Sequence, residues 1–141
     1  MFEVRVTAEP FDSAHEQARL AALGPDVGAL VGFTGLVRDH PLLIEHYPGM
    51  AERAIRRVLD EVCTRRALLG AIVIHRFGQL AVGEPIVLVM TAARHRAHAF
   101  AAAWQLMDYL KTEAPFWKKA PTGWVEARAA DERARAAWTA R

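Results

Sequence analysis

Cysteine is nearly absent from this chain: among 141 residues there is one, Cys63. A single thiol permits no disulfide within the chain and no cysteine-based zinc site. It also excludes a persulfide relay between two cysteines of this chain. Cys63 falls at an apolar-facing position of a helical pattern, which predicts a core filler. A one-sided charge is missing too, since 18 basic and 16 acidic residues leave a net charge of only +2. A general nucleic-acid binder carries a basic stripe with interleaved aromatics, so no nucleic-acid partner is expected. No apolar run approaches the ~18 residues that cross a bilayer. The opening Met1-Phe-Glu-Val-Arg-Val6 has no basic segment followed by an apolar one. These absences predict a soluble, cytoplasmic protein with no membrane partner.

Lysine is the other scarcity. The chain has three, Lys111, Lys118 and Lys119, against fifteen arginines, and all three fall within nine residues. Arginine stays charged under ordinary conditions, whereas lysine loses its proton readily on burial and can serve as acid, base or nucleophile. The cluster reads either as a solvated helix end or as a reactive site. Pro115, Phe116 and Trp117 lie inside it, which a plain solvated tail would not need.

With 52% hydrophobic and 24% charged residues, the chain can bury a real core. Its length suits one domain over residues 1–141. Phe2 to Thr7 alternates as a half-buried strand. Ser13-Ala-His-Glu16 reads as a capping box opening a short helix that Gly24-Pro25 stops. Val27 to Val37 is an apolar strand punctuated by Gly28, Gly32 and Gly35, a sign of close approach or a bulge. Leu42 to His46 is another strand. A helix from Met50 buries Ala54, Ile55, Val58, Leu59 and Val62. Ala71 to Ile74 and Pro85 to Thr91 read as buried strands. A long helix runs from about Arg94 to Glu113, stopped by Pro115. Gly123 to Ala129 reads as the last strand, and residues 131–141 as a helical or frayed tail. The order is β-α-β-β-α-β-β-α-β, an α+β domain with a mainly antiparallel or mixed sheet. No G-x-G-x-x-G follows the first strand and no Walker A sequence occurs.

Three cationic groups sit at element ends, where sites are usually built. Arg38 follows the glycine-punctuated strand. His95 and Arg96 stand at the start of the long helix, whose free N–H groups favour an anion. The lysines stand at its other end. Each has a plain alternative as a solvated turn or helix end. His75-Arg76 reads as a solvated strand end. His95 and His98 lack a suitable carboxylate companion, so no metal site is expected. A helix of about 18 residues is ~27 Å long at ~1.5 Å per residue. Its two ends reach one small ligand only if the helix is shorter or bent, the substrate is long, or two subunits share a site.

Several segments occur in an order that carries a resemblance. They are Phe33-Thr-Gly-Leu-Val-Arg38, Leu43-Ile-Glu-His-Tyr-Pro-Gly-Met50 and Ile74-His-Arg-Phe-Gly78, followed by His95-Arg96. Met107-Asp-Tyr-Leu-Lys-Thr112, Ala114-Pro-Phe-Trp-Lys118 and Trp124-Val-Glu-Ala-Arg128 complete the set. Together, over about residues 2–135, they resemble the large, catalytic subunit of molybdopterin synthase. The resemblance implies an α/β-hammerhead-like fold with an additional antiparallel β-sheet. It implies an enzyme without a cofactor that makes the dithiolene of molybdopterin from cyclic pyranopterin monophosphate. Sulfur arrives as a thiocarboxylate on the Gly-Gly C-terminus of a small ubiquitin-like partner. The assembly implied is a homodimer of large subunits within a heterotetramer.

Matched residue by residue, Lys111 and Lys118 fall on the family's two active-site lysines. Lys111 takes the leading acid/base role, and Lys118 orients the thiocarboxylate and stabilises negative charge. Arg38, His95 and Arg96 are implied to bind the pterin phosphate. Leu36, Val37, Lys119 and Ala120 are implied to line the substrate, and Arg128 to act across the dimer. Two departures stand out. The connection from Arg38 to Glu45 is short for the family, and Ala120 stands where an acidic residue is common. Glu113 is a candidate to supply the missing carboxylate. Two other readings stay open: a module that binds a ubiquitin-like tail or a phosphorylated metabolite without catalysis, and a structural homodimer.

Overall fold

The computed structural model describes residues 1–125 and 129–139. The elements run β1 (Phe2–Thr7), α1 (Ser13–Ala21), β2 (Ala29–Leu36), β3 (Leu42–His46), α2 (Met50–Arg66) and β4 (Gly70–Arg76). They continue with β5 (Gly78–Leu80), β6 (Pro85–Ala93), α3 (Arg96–Glu113), β7 (Phe116–Ala120), β8 (Gly123–Val125) and α4 (Ala129–Thr139).

Apolar residues on both faces of β4 and β6 require cover on both sides, and the fold supplies it. These two strands form the centre of a four-stranded sheet in the order β1-β4-β6-β2. β1 runs parallel to β4, while β6 is antiparallel to both β4 and β2. On one face, Val73, Val87 and Val89 pack under Ile55, Val58 and Leu59 of α2 and Leu106 and Leu110 of α3. On the other face, Ile72, Ile74, Leu88 and Met90 pack against Leu20 of α1. Glycines just ahead of and within β2 serve close approach and a bulge. A Cβ on Gly28 would lie 2.1 Å from the Arg94 carbonyl oxygen, and the register of β2 shifts between Gly35 and Leu36.

The second sheet, β5-β3-β7-β8, is antiparallel throughout. Its core is small: Val37, Ile44 and Leu80, with Phe77 and Phe116 against them. Phe116 packs against the large core as well, so one ring joins the two. The whole is the α+β architecture expected, with a mixed sheet and an added antiparallel one.

Some local expectations need correction. The cap of α1 is Asp12, whose carboxylate accepts from the Ala14 and His15 N–H groups. Ser13 is the first helical residue. Glu16, the supposed partner in a capping box, is 3% exposed and receives Arg5 and Arg19 instead. Two short strands, β5 and β7, were not expected. The last strand is described over Gly123–Val125; residues 126–128 of the expected strand lie outside the described residues, and Ala129, expected to end it, opens α4. The helix stop is as expected: α3 ends at Glu113 and Ala114 is extended ahead of Pro115.

Candidate active site

Lys111 lies in the last turn of α3, where the helix dipole favours a cation. The chain then turns at Ala114-Pro115 and enters β7, which pairs antiparallel with β3, Ile44 opposite Lys118 and His46 opposite Phe116. Strand alternation separates the segment into two faces. Phe116, Lys118 and Ala120 turn inward, and Trp117 and Lys119 outward. The result is a pocket of about 140 Å³ walled by Lys111, Lys118, His75, Phe116 and Leu36. A second, shallower groove of about 380 Å³ adjoins it along α3 and β2, with Phe33, Met107 and Lys111 common to both.

His75 is the member that sequence reasoning missed. The strand-end pair His75-Arg76 is buried, at 7% and 5% exposure, rather than solvated. Arg76 donates to the carbonyl oxygens of Ala8 and Pro85, tying the ends of β1 and β6 together. The His75 ring stacks on Phe116, with centroids 3.7 Å apart and planes 12° from parallel. Its Nδ1 lies 2.9 Å from the Arg76 carbonyl oxygen. A carbonyl can only accept, so Nδ1 carries the proton. Burial pushes the ring down to about 3, the charges of Lys118, Lys111 and His46 add to the effect, and the Arg76 carbonyl opposes it. The imidazole is therefore neutral at ordinary pH. The available signal was a histidine set in the otherwise apolar run Ala71 to Ile74.

The remaining expected residues are dispersed. Arg38 lies two positions past Leu36, its side chain 79% exposed and 3.8 Å from Asp39. Val37 is buried in the small core and exchanges backbone hydrogen bonds with Gly83 and Glu84. His95 is the N-cap residue of α3 and Arg96 its first residue, both exposed. α3 has 18 residues, so it spans ~27 Å at ~1.5 Å per residue. One chain therefore does not bring His95 and Arg96 to its own lysine pocket. Lys119 sits on the outer face of β7, 5.5 Å over the Trp124 ring. Ala120 is buried and pairs with Gly123. Glu113 does not replace an acid beside Lys118, because it is taken up by Arg135 and Arg57. Arg128 lies outside the described residues.

Cys63 is half-buried against the large core, and burial pushes its thiol up to about 11. It is thus a poor nucleophile. Among the described residues, no three His, Cys, Asp or Glu side chains gather closely enough to hold a metal ion. No helix among them is long and apolar enough to cross a membrane.

Fold and site together define a two-sheet α+β protein whose central feature is a lysine pair aimed into a small pocket from a helix end and a strand. Residues 6–113 match the family model described as MoaE protein. The molybdopterin synthase catalytic subunit of Cereibacter sphaeroides is 52% identical over 144 aligned positions, covering 96% of this chain and 99% of that one. The solved structure of a molybdopterin biosynthesis MoaE protein from Burkholderia ambifaria superposes with a TM-score of 0.88 at 44% identity, covering 99% of each chain. A solved complex of subunits 1 and 2 of the molybdopterin-converting factor from Helicobacter pylori shares the fold, with a TM-score of 0.65 at 18% identity over 91% of this chain and 90% of that one. The chain belongs to the MoaE protein family.

Proposed function

We propose that this chain is the catalytic subunit of a molybdopterin synthase, a sulfurtransferase of molybdenum cofactor biosynthesis. It transfers two sulfurs from the C-terminal thiocarboxylate of a small ubiquitin-like, Gly-Gly-ended partner to cyclic pyranopterin monophosphate. The observation that carries this reading is the convergence of Lys111 and Lys118 on one pocket, in a chain half identical to a relative of that name. A volume of ~140 Å³ holds about five waters at ~30 Å³ each. That suits the narrow end of an extended tail and is too small for a pterin. The adjoining groove falls within the ~300–1,000 Å³ range usual for small-molecule ligands.

Replacing oxygen by sulfur and opening a cyclic phosphate require proton transfers and stabilised anions. Lys111, on the wall common to pocket and groove, is the leading acid and base. Lys118 orients the thiocarboxylate and stabilises developing negative charge. Arg38, His95 and Arg96 are read as the phosphate-binding cations, and Arg128 as a residue that reaches across a dimer.

A shared site is favoured by the length of α3 and by an apolar face beside the groove. There Phe33, Phe100 and Trp104 are 42%, 60% and 68% exposed along α3 and the edge strand β2. A second copy seated on that face would lie next to Lys111, and its own cations could complete the site. The assembly is then a homodimer of large subunits with a small subunit at each outer end, working in the cytoplasm. The two-subunit complex from Helicobacter pylori supports the small partner.

The test mixes the purified chain with thiocarboxylated partner and precursor. Dithiolene product is expected, with near-total loss in Lys111→Ala. Product formation at the wild-type rate in that variant would overturn the role given to Lys111. Binding of the partner with no product from the wild type would leave only a non-catalytic module.

A further inference from the structure

Two lysines in one small pocket present a physical problem. Both side chains are flexible, both ammonium groups repel, and the catalytic reading gives them different tasks. Something must distinguish them. Lys111 leaves a helix end, whereas Lys118 stands on β7 two residues from Phe116 and on the same face. Phe116 is the ring on which His75 stacks. His75 is therefore attached to the Lys118 strand through that stack and to β4 by its own backbone.

The electrostatics point the same way. Of the two lysines, Lys118 opposes protonation of His75 more strongly, with Lys111 next and His46 third. No acidic group is among the influences on the ring. With Nδ1–H committed to the Arg76 carbonyl, Nε2 keeps its lone pair and is the one acceptor the ring can offer. An ammonium has three N–H donors and no acceptor, so this lone pair is its natural complement.

We propose that His75 is the positioning residue for Lys118, a neutral imidazole whose Nε2 accepts a hydrogen bond from the Lys118 ammonium and holds it, charged, in the pocket. Among the described residues Lys111 has no such tether, and it stays mobile enough to carry protons. The two lysines are thus sorted by one ring. The kinetic part of this inference rests on the sulfurtransferase reading; the hydrogen bond itself does not.

Two measurements test it. The first is independent of activity: long-range proton–nitrogen NMR of the full chain, in wild type, Lys118→Met and Lys111→Met. The His75 Nε2 resonance should be that of an unprotonated nitrogen from pH 5 to 9. It should move in Lys118→Met and move much less in Lys111→Met. A proton on Nε2, or a resonance indifferent to Lys118→Met, overturns the proposal.

The second compares His75→Asn, which keeps an N–H near the Arg76 carbonyl but lacks the distal acceptor, with His75→Gln, which places an oxygen near the Nε2 position. His75→Asn should lose about tenfold or more in kcat, as for one hydrogen bond to a charged group, with KM for the precursor within about twofold. His75→Gln should recover most of that loss at a similar melting temperature. Equal rates in the two variants, or losses that follow melting temperature alone, make His75 a packing residue and overturn the proposal. If His75→Asn does not fold, the NMR comparison decides. An inactive wild type with the NMR result intact would sink the sulfurtransferase reading and leave the hydrogen bond standing.

Discussion

His75 imposes a slope of stability against pH whose size follows from its burial. In the fold, its ring titrates at about 3, against an ordinary 6.5 when the chain unfolds. Between those values the unfolded chain holds a proton that the folded chain does not. Stability is therefore fully present above 6.5, falls as pH drops, and levels off below about 3. From pH 7.5 to pH 5.0 the loss attributable to this ring is about 2 kcal/mol, at ~1.4 kcal/mol per pH unit once below the unfolded value. Urea unfolding followed by tryptophan fluorescence measures it at the two pH values. In His75→Asn, which does not titrate, the drop should be smaller by about that same 2 kcal/mol. Five of the six histidines remain in the variant, so the difference between the two proteins isolates one ring. Parallel pH dependences would refute the reasoning and mean that the ring is solvated in the fold. A slope of opposite sign would mean that the fold holds it protonated.

Asp12→Ala should cost about 1 kcal/mol, the usual value of a lost helix cap, while Ser13→Ala should be close to neutral, as read from urea midpoints. The reverse ranking would reinstate the capping box. Lys119→Ala should retain sulfur transfer within about threefold of wild type while Lys118→Ala loses far more, because alternation puts Lys119 on the outer face over Trp124. Equal losses in a steady-state assay would show that both faces of β7 meet substrate.

Much of the fold was legible because its elements are amphipathic or wholly apolar over useful lengths. The helix carrying Ile55, Val58 and Val62, and the stop at Glu113 before Pro115, follow from spacing and from proline sterics alone. β7 escaped because Phe116-Trp-Lys-Lys-Ala120 holds just five residues. Its lysines drew attention as charges and hid the strand alternation that puts one aromatic and one lysine on each face. The capping box failed because two carboxylates competed for one explanation: Asp12 caps, while Glu16 is drawn inward by Arg5 and Arg19. In the site, three lysines against fifteen arginines marked the segment, and the family resemblance singled out Lys111 and Lys118 within it. His75 was missed because a histidine at a strand end is solvated or buried according to what packs on it. Here that is Phe116, forty-one positions away in the chain. Arg38, His95 and Arg96 could be picked out as anion binders, yet no sequence pattern reveals that an α3 of 18 residues keeps two of them a helix length from the pocket.

The double membership of Phe116 has a consequence for motion. The antiparallel sheet has a core of three fully buried residues, too few to hold it closed as firmly as the main body. Its detachment is a subglobal opening, cheaper than global unfolding, and the ring that must come out for β7 to leave is the ring that carries His75 and walls the pocket. Amide exchange along β3 and β7 should therefore proceed as one cooperative unit, and any ligand that fills the pocket should slow all of those amides together. In this architecture, occupying the site and locking the second sheet are one thermodynamic event.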